Sequence, residues 1–175
     1  MIRIILIGYM GAGKTTVGRQ LALALGCSFY DLDWYIEMRY HRTVAQLFAE
    51  RGEEGFRELE HNMLHEVAEF ENIVLSCVGG TPCFYDNMQY LNAQGETIYL
   101  KVEPATLAQH LEMGKVERPL IKGKTKEDLV RHIQESLRQR EHFYLQAKHV
   151  VDVTLLDNYE KIKDSVKLLR EELGV

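Results

Sequence analysis

The residues best suited to chemistry are Gly8-Tyr9-Met10-Gly11-Ala12-Gly13-Lys14-Thr15, two glycines around four residues and then Lys-Thr. They join a short apolar run, residues 2–7, to a segment of helical period that begins at Lys14. Glycine lets the chain turn tightly, so the N–H groups of Gly11, Ala12, Gly13, Lys14, Thr15 and Thr16 can converge on phosphate oxygens. The N-terminus of the helix that follows adds partial positive charge at the same place. In this spacing Lys14 reaches the β- and γ-phosphates and the Thr15 hydroxyl ligates Mg²⁺. The pattern predicts a bound nucleoside triphosphate.

Asp31 and Asp33 stand at the end of a predicted strand, where open α/β sheets bind their ligands. Strand alternation would put both carboxylates on one side of the chain. Beside a Mg-nucleotide, one could hold the metal's waters while the other takes a proton from a hydroxyl nucleophile. Either could instead N-cap the segment 34–40. Gly79-Gly80 follows another predicted strand and either permits close backbone approach to a ligand or simply turns before Thr81-Pro82. Arg57 and Arg140 could each fork onto a carboxylate or phosphate, or be solvated helix arginines.

These residues need a frame that alternates strand and helix, and the sequence supplies one. Apolar runs of strand length at 2–7, 27–30, 72–78, 97–102 and 150–153 are separated by longer stretches of helical period. The helix from Lys14 to Leu25 has Val17, Leu21, Ala24 and Leu25 on one face and is stopped by Gly26. Thr43 is placed to N-cap a short helix carrying Val44, Leu47 and Phe48 that closes at Gly52. Residues 53–70 form a long helix burying Phe56, Leu59, Met63, Leu64 and Val67. Further helices are expected at 84–92, from Pro104, at 125–147 and at 158–173. Residues 113–124 lack an apolar period and read as a mobile basic loop. Five strands with crossover helices imply one α/β domain built on a parallel sheet.

The 175 residues suffice for one such core, and a net charge of −5 gives no footprint for general nucleic-acid binding. The first apolar run is too short for a signal peptide, and none approaches the ~20 residues of a membrane span. Cys27, Cys77 and Cys83 lack metal or redox spacing and read as buried small hydrophobes in a reducing compartment, the cytoplasm.

Over nearly its whole length the sequence resembles the shikimate kinases. The resemblance is carried by the loop at residues 8–16, Asp31-Leu32-Asp33, Gly55-Phe56-Arg57 with Glu58 and Glu60, Gly79-Gly80, Arg118-Pro119-Leu120, and Arg140 four residues before Tyr144. It implies the fold of the nucleoside-monophosphate kinases, a three-layer P-loop kinase fold. That fold has a five-stranded parallel sheet in the order 2-3-1-4-5, a mobile lid at about 112–124 and substrate-binding helices at about 33–60. It implies transfer of the ATP γ-phosphate to the 3-hydroxyl of shikimate by a monomer with Mg²⁺, with no nucleic-acid or membrane partner.

By the same resemblance Asp33 contacts the reacting hydroxyl as candidate base, and Asp31 acts on Mg²⁺ through water alongside Thr15. Arg57 and Arg140 grip the shikimate carboxylate, Glu60 supports the arginines, and Gly79 and Gly80 touch the substrate. Val44, Phe48 and Phe56 form the apolar wall, and Arg118 swings onto the phosphates. Phosphoryl transfer agrees with such a set, since it needs positioning and charge neutralisation more than covalent help.

The chain departs from the family's pattern in two places. Val78 stands where the first of three glycines is usual, and valine cannot take positive φ. Residues 111–115 lack the arginine that often stacks near adenine, a role Lys115 could only partly fill. Other features read as bland: Trp34, Tyr35 and Tyr40 as packing, 170–172 as a solvated face, and His61 with His65 as a pair without a third ligand. The rival readings are a sibling kinase for gluconate or a nucleoside monophosphate, and a non-catalytic P-loop switch. The switch is disfavoured by the absence of a guanine-reading Asn-Lys-x-Asp string and of an aspartate closing the strand before Gly79.

Overall fold

A computed structural model of the chain describes residues 1–113, 125–153 and 158–175. Its centre is a five-stranded parallel sheet in the order β2-β3-β1-β4-β5. The strands are β1 (Arg3–Ile7), β2 (Ser28–Asp31), β3 (Ile73–Ser76), β4 (Glu96–Lys101) and β5 (His149–Asp152). The flanking helices are α1 (Lys14–Leu25), α2 (Leu32–Tyr40), α3 (Val44–Ala68), α4 (Asn87–Gln94), α5 (Pro104–Met113), α6 (Lys126–Tyr144) and α7 (Tyr159–Leu173). The order implied by the resemblance is the order observed. The expected lid lies, beyond Met113, outside the described residues, and with it Arg118 and Lys115.

β1 occupies the middle of the sheet because nothing polar interrupts Ile4–Ile7, all of which are buried, as a strand covered on both faces requires. Arg3, the one charge in the run, turns its guanidinium to the carbonyls of Glu69 and Phe70 just past the end of α3. The edge strands β2 and β5 are only partly buried. β3 is shorter than the run 72–78 suggested: Asn72 adopts φ 54°, and the chain turns toward Gly79-Gly80 after Cys77, whose N–H still donates to the Leu6 carbonyl at 3.0 Å.

Helix ends follow local chemistry. Thr43 and Gln46 form the reciprocal capping box of α3, while Thr125 and Asn158 cap α6 and α7. Gly52 does break the long helical stretch, with φ 70° and ψ 177°, so the short and long helices expected there are the two limbs of a kinked α3. The long limb buries the apolar face expected of it, and Glu60 with it. In α1 the buried face is Val17, Gly18, Leu21 and Ala22; Ala24, expected inside, is exposed. Gly18 draws α1 onto β2, since a Cβ there would fall 2.7 Å from the Phe29 ring. The helix expected at 84–92 begins only at Asn87, after a 3₁₀ turn at Thr81–Cys83.

Gly95 joins α4 to β4 where the backbone of β1 passes close by. A Cβ on it would lie 2.5 Å from the Arg3 carbonyl oxygen. That obstacle is backbone hydrogen-bonded into the sheet, so Gly95→Ala should cost about 1–3 kcal/mol. Urea denaturation would show it as a lowered midpoint; an unchanged midpoint would mean that β1 can shift freely.

Candidate active site

The loop after β1 curls as its glycines dictate. Gly11 and Gly13 take φ 83° and 85°, and the Ala12 N–H donates to the Tyr9 carbonyl at 3.2 Å. Gly13 stands at the N-cap of α1, so the first N–H groups of that helix open toward the loop. Lys14 is buried and its Nζ donates to the carbonyls of Gly8 (2.7 Å) and Tyr9 (2.9 Å), which keeps the ammonium inside the curl. Thr15 Oγ1 donates to Asp31 Oδ2 at 2.8 Å across the mouth of β2.

Of the roles considered for Asp31, capping is the one the fold shows. One oxygen takes the Thr15 hydroxyl and the other caps α2 by accepting the Trp34 N–H at 3.3 Å. Asp33 is not a cap, nor does strand alternation place it, because β2 ends at Asp31 and Asp33 sits in the first turn of α2. Its Oδ1 is buried without a hydrogen-bond partner. Burial first, then the charges of Asp31, Glu60 and Glu37, push its carboxyl up from 3.8 to about 7, with Lys14 opposing. A carboxylate so placed is poised to take up a proton near neutral pH.

The second half of the site is built around the turn after β3. Val78 adopts no positive φ; among the described non-glycine residues only His41, Asn72 and Tyr85 do. The valine therefore introduces no backbone departure of the kind its position suggested. The Gly79 carbonyl accepts the hydroxyl of buried Tyr144. Arg140 reaches the same turn, its Nη1 lying 3.5 Å from where a Gly79 Cβ would be. A Cβ on Gly80 would fall 2.7 Å from Arg57 Nη2. Two guanidiniums thus flank one turn.

They are held differently. The Arg57 side chain is 11% exposed and bonds through Nη1 to both oxygens of fully buried Glu60, at 3.0 and 3.2 Å. Its guanidinium lies 4.2 Å from the Phe84 ring centroid. Burial pushes the Glu60 carboxyl above its ordinary value, while Arg57 and the Thr81 hydroxyl pull it back. Arg140 lies over Tyr9 and next to Tyr144 rather than on Glu60. Glu60 supports one arginine, not both. Phe48 stacks on Phe56 at 4.2 Å, and Phe56 is buried; of the expected apolar wall only Val44 faces the cleft.

That cleft, about 750 Å³, runs from the loop residues Gly11, Gly13, Lys14, Thr15 and Thr16 past Asp31 and Asp33 to Val78 and Gly79. Sequence patterns did not single out Glu37, Ser76 or His110, which line it together with Cys77, expected only as a buried thiol. Glu37 accepts the Val44 N–H at 2.9 Å, tying α2 to the start of α3. His110 Nδ1 bonds the Gly11 carbonyl at 2.8 Å from α5, a pairing across ninety-nine positions that no local signal announces. Trp34 also lines the cleft, half-exposed and packed beneath the Arg19 guanidinium at 4.6 Å. Only Cys77 is the buried thiol expected; Cys27 and Cys83 are half-buried, and all three are free.

A family model described as shikimate kinase matches residues 10–170. A shikimate kinase of Phocaeicola vulgatus is 54% identical over 174 residues, 99% of each chain. The crystal structure of shikimate kinase from Bacteroides thetaiotaomicron superposes with a TM-score of 0.96 at 51% identity, covering 99% of both chains. Shikimate kinase from Acinetobacter baumannii in complex with shikimate superposes at 0.83 with 32% identity, covering 99% of this chain and 94% of that one. With a phosphate-binding loop, a buried carboxylate and paired arginines opening on one turn, and with relatives matched end to end, the chain belongs to the shikimate kinase family.

Proposed function

We propose that this chain transfers the γ-phosphoryl group of ATP to the 3-hydroxyl of shikimate, giving shikimate 3-phosphate and ADP. The observation that carries the reading is Asp33: a buried carboxylate with an unpartnered oxygen, in the same cleft as the phosphate-binding loop. Gly11, Ala12, Gly13 and Thr16 cradle the phosphates through their N–H groups, and Lys14 turns from its own loop carbonyls onto the β- and γ-phosphates. Asp33 takes the proton of the 3-hydroxyl as the new O–P bond forms and the bond from the γ-phosphorus to the β,γ-bridging oxygen breaks. Arg57 and Arg140 hold the acceptor carboxylate beside the Gly79-Gly80 turn, with Phe48 and Phe56 beneath Arg57. Arg118, outside the described residues, is assigned to the phosphates.

The Thr15 hydroxyl and Asp31 carboxylate, 2.8 Å apart, are the hard oxygen donors that Mg²⁺ prefers, and these two residues would hold the ion. An ion held there would neutralise charge on the phosphates. In this reading the chain works as a monomer and a single domain, with acceptor helices at about 33–60 and a lid at about 112–124. Free thiols fit a reducing cytoplasm. Among the described residues no helix is long and apolar enough to cross a membrane. The net charge of −5 fits a small-molecule acceptor and not nucleic acid.

A coupled ADP-release assay with MgATP should respond to shikimate and stay silent with gluconate, nucleoside monophosphates or no acceptor. Release with a different acceptor would keep the nucleotide site but overturn the acceptor assignment. Release without any acceptor would make the chain an ATPase.

A further inference from the structure

The helical pair His61 and His65, bland in the sequence, gains a third potential ligand in the fold. One ring nitrogen of each histidine and a carboxylate oxygen of Asp86 all lie within 4.8 Å of one another. We propose that His61, His65 and Asp86 form a binding site for a divalent transition-metal cation of the zinc type, on the face of α3 where α4 begins. None of the three lines the phosphate-binding cleft.

The surroundings prepare each ligand. Asn87 is fully buried and its Nδ2 donates to the Thr81 carbonyl at 2.9 Å, so its Oδ1 faces His61 as an acceptor. His61 Nδ1, 2.6 Å away, must then carry the proton, which leaves the Nε2 lone pair available for a metal. This is the outer-shell bond that commonly orients a ligating imidazole. His65 is stacked on Tyr90, centroids 3.6 Å apart, and its Nε2 is buried without a hydrogen-bond partner.

Asp86 occupies the N-cap position of α4 yet makes no side-chain cap bond; its carboxylate is by the histidines instead. The preceding Tyr85 holds φ 50°, strained for a non-glycine residue, with its ring 5.0 Å from His61. Two imidazoles and one carboxylate suit Zn²⁺, Co²⁺ or Ni²⁺, whereas Mg²⁺ and Ca²⁺ prefer all-oxygen sites. Asp86 is exposed, so an ion can enter from solvent, and rotation of its side chain can close the set toward zinc-like spacing.

The test titrates the full-length protein with Co²⁺ in saturating Mg²⁺, which fills the Thr15–Asp31 oxygens, and reads the visible ligand-field absorption. One equivalent should bind with the strong bands of a four- or five-coordinate ion, and Zn²⁺ should abolish them by displacement. Asp86→Asn, on the surface, and His61→Gln should each weaken Co²⁺ binding at least about tenfold, with far-UV circular dichroism confirming the fold. Absence of stoichiometric absorption in the parent protein overturns the proposal, as does affinity unchanged in Asp86→Asn.

Discussion

Asp33→Asn should lower turnover by about 10²–10⁴-fold, the usual contribution of a positioned base, while leaving ATP binding nearly unchanged. The same substitution should stabilise the fold, and only above acidic pH. In the native chain the Asp33 carboxyl titrates at about 7, against 3.8 for the unperturbed group. Below about pH 4 folded and unfolded states both hold the proton, and the substitution is neutral in this respect. As pH rises toward 7 the unfolded chain releases its proton first, so the native state is progressively weakened and stays so above that pH. Asparagine carries no such penalty.

The ceiling on this gain at pH 8 is roughly 4 kcal/mol, reduced by the partial exposure of Asp33 and by about 0.3–1 kcal/mol of lost favourable charge near the N-terminus of α2. Urea midpoints of parent and variant should therefore coincide near pH 4 and separate at pH 8. In the parent, kcat/KM for the acceptor should rise with pH through about 7. A variant with normal turnover, or with the same midpoint difference at both pH values, would remove Asp33 from the role of base.

What was legible in the sequence was local. Gly8 to Thr15 fixes its own curl because glycine positions and the helix start are neighbours in the chain, and Thr43 caps its helix by accepting the N–H three residues on. Val78 shows the limit of reasoning by residue type, for the turn it enters needs no positive φ at that position. The pairs that determine charge state were not legible. Asp33 owes its raised pKa to burial and to Asp31, Glu60 and Glu37 together, and only tertiary packing assembles these. His110 meets Gly11, and Asp86 meets His61 and His65, across connections that carry no sequence signal. That Trp34 packs at the edge of the cleft was not legible either, because an aromatic in the first turn of a helix looks the same whether it faces a core or a cleft.

The two arginines at the Gly79-Gly80 turn should fail in different ways. Either Arg57→Ala or Arg140→Ala should weaken acceptor binding by about 10–100-fold, one charge-assisted bond each, with little effect on ATP. Their stabilities should part. Removing Arg57 leaves the fully buried Glu60 carboxylate with the Thr81 hydroxyl alone, and an uncompensated buried charge costs about 3–5 kcal/mol. Because burial already raises the Glu60 pKa, the orphaned group can take up a proton, so the loss should shrink as pH falls. Arg140 rests on Tyr9 at 5.8 Å without that partnership, and its removal should cost about 1 kcal/mol or less. Adding Glu60→Gln to Arg57→Ala should recover most of the stability and none of the acceptor affinity. If calorimetry instead finds acceptor binding restored in the double variant, Arg57 acts only as the counter-ion of Glu60, and the carboxylate is held by Arg140.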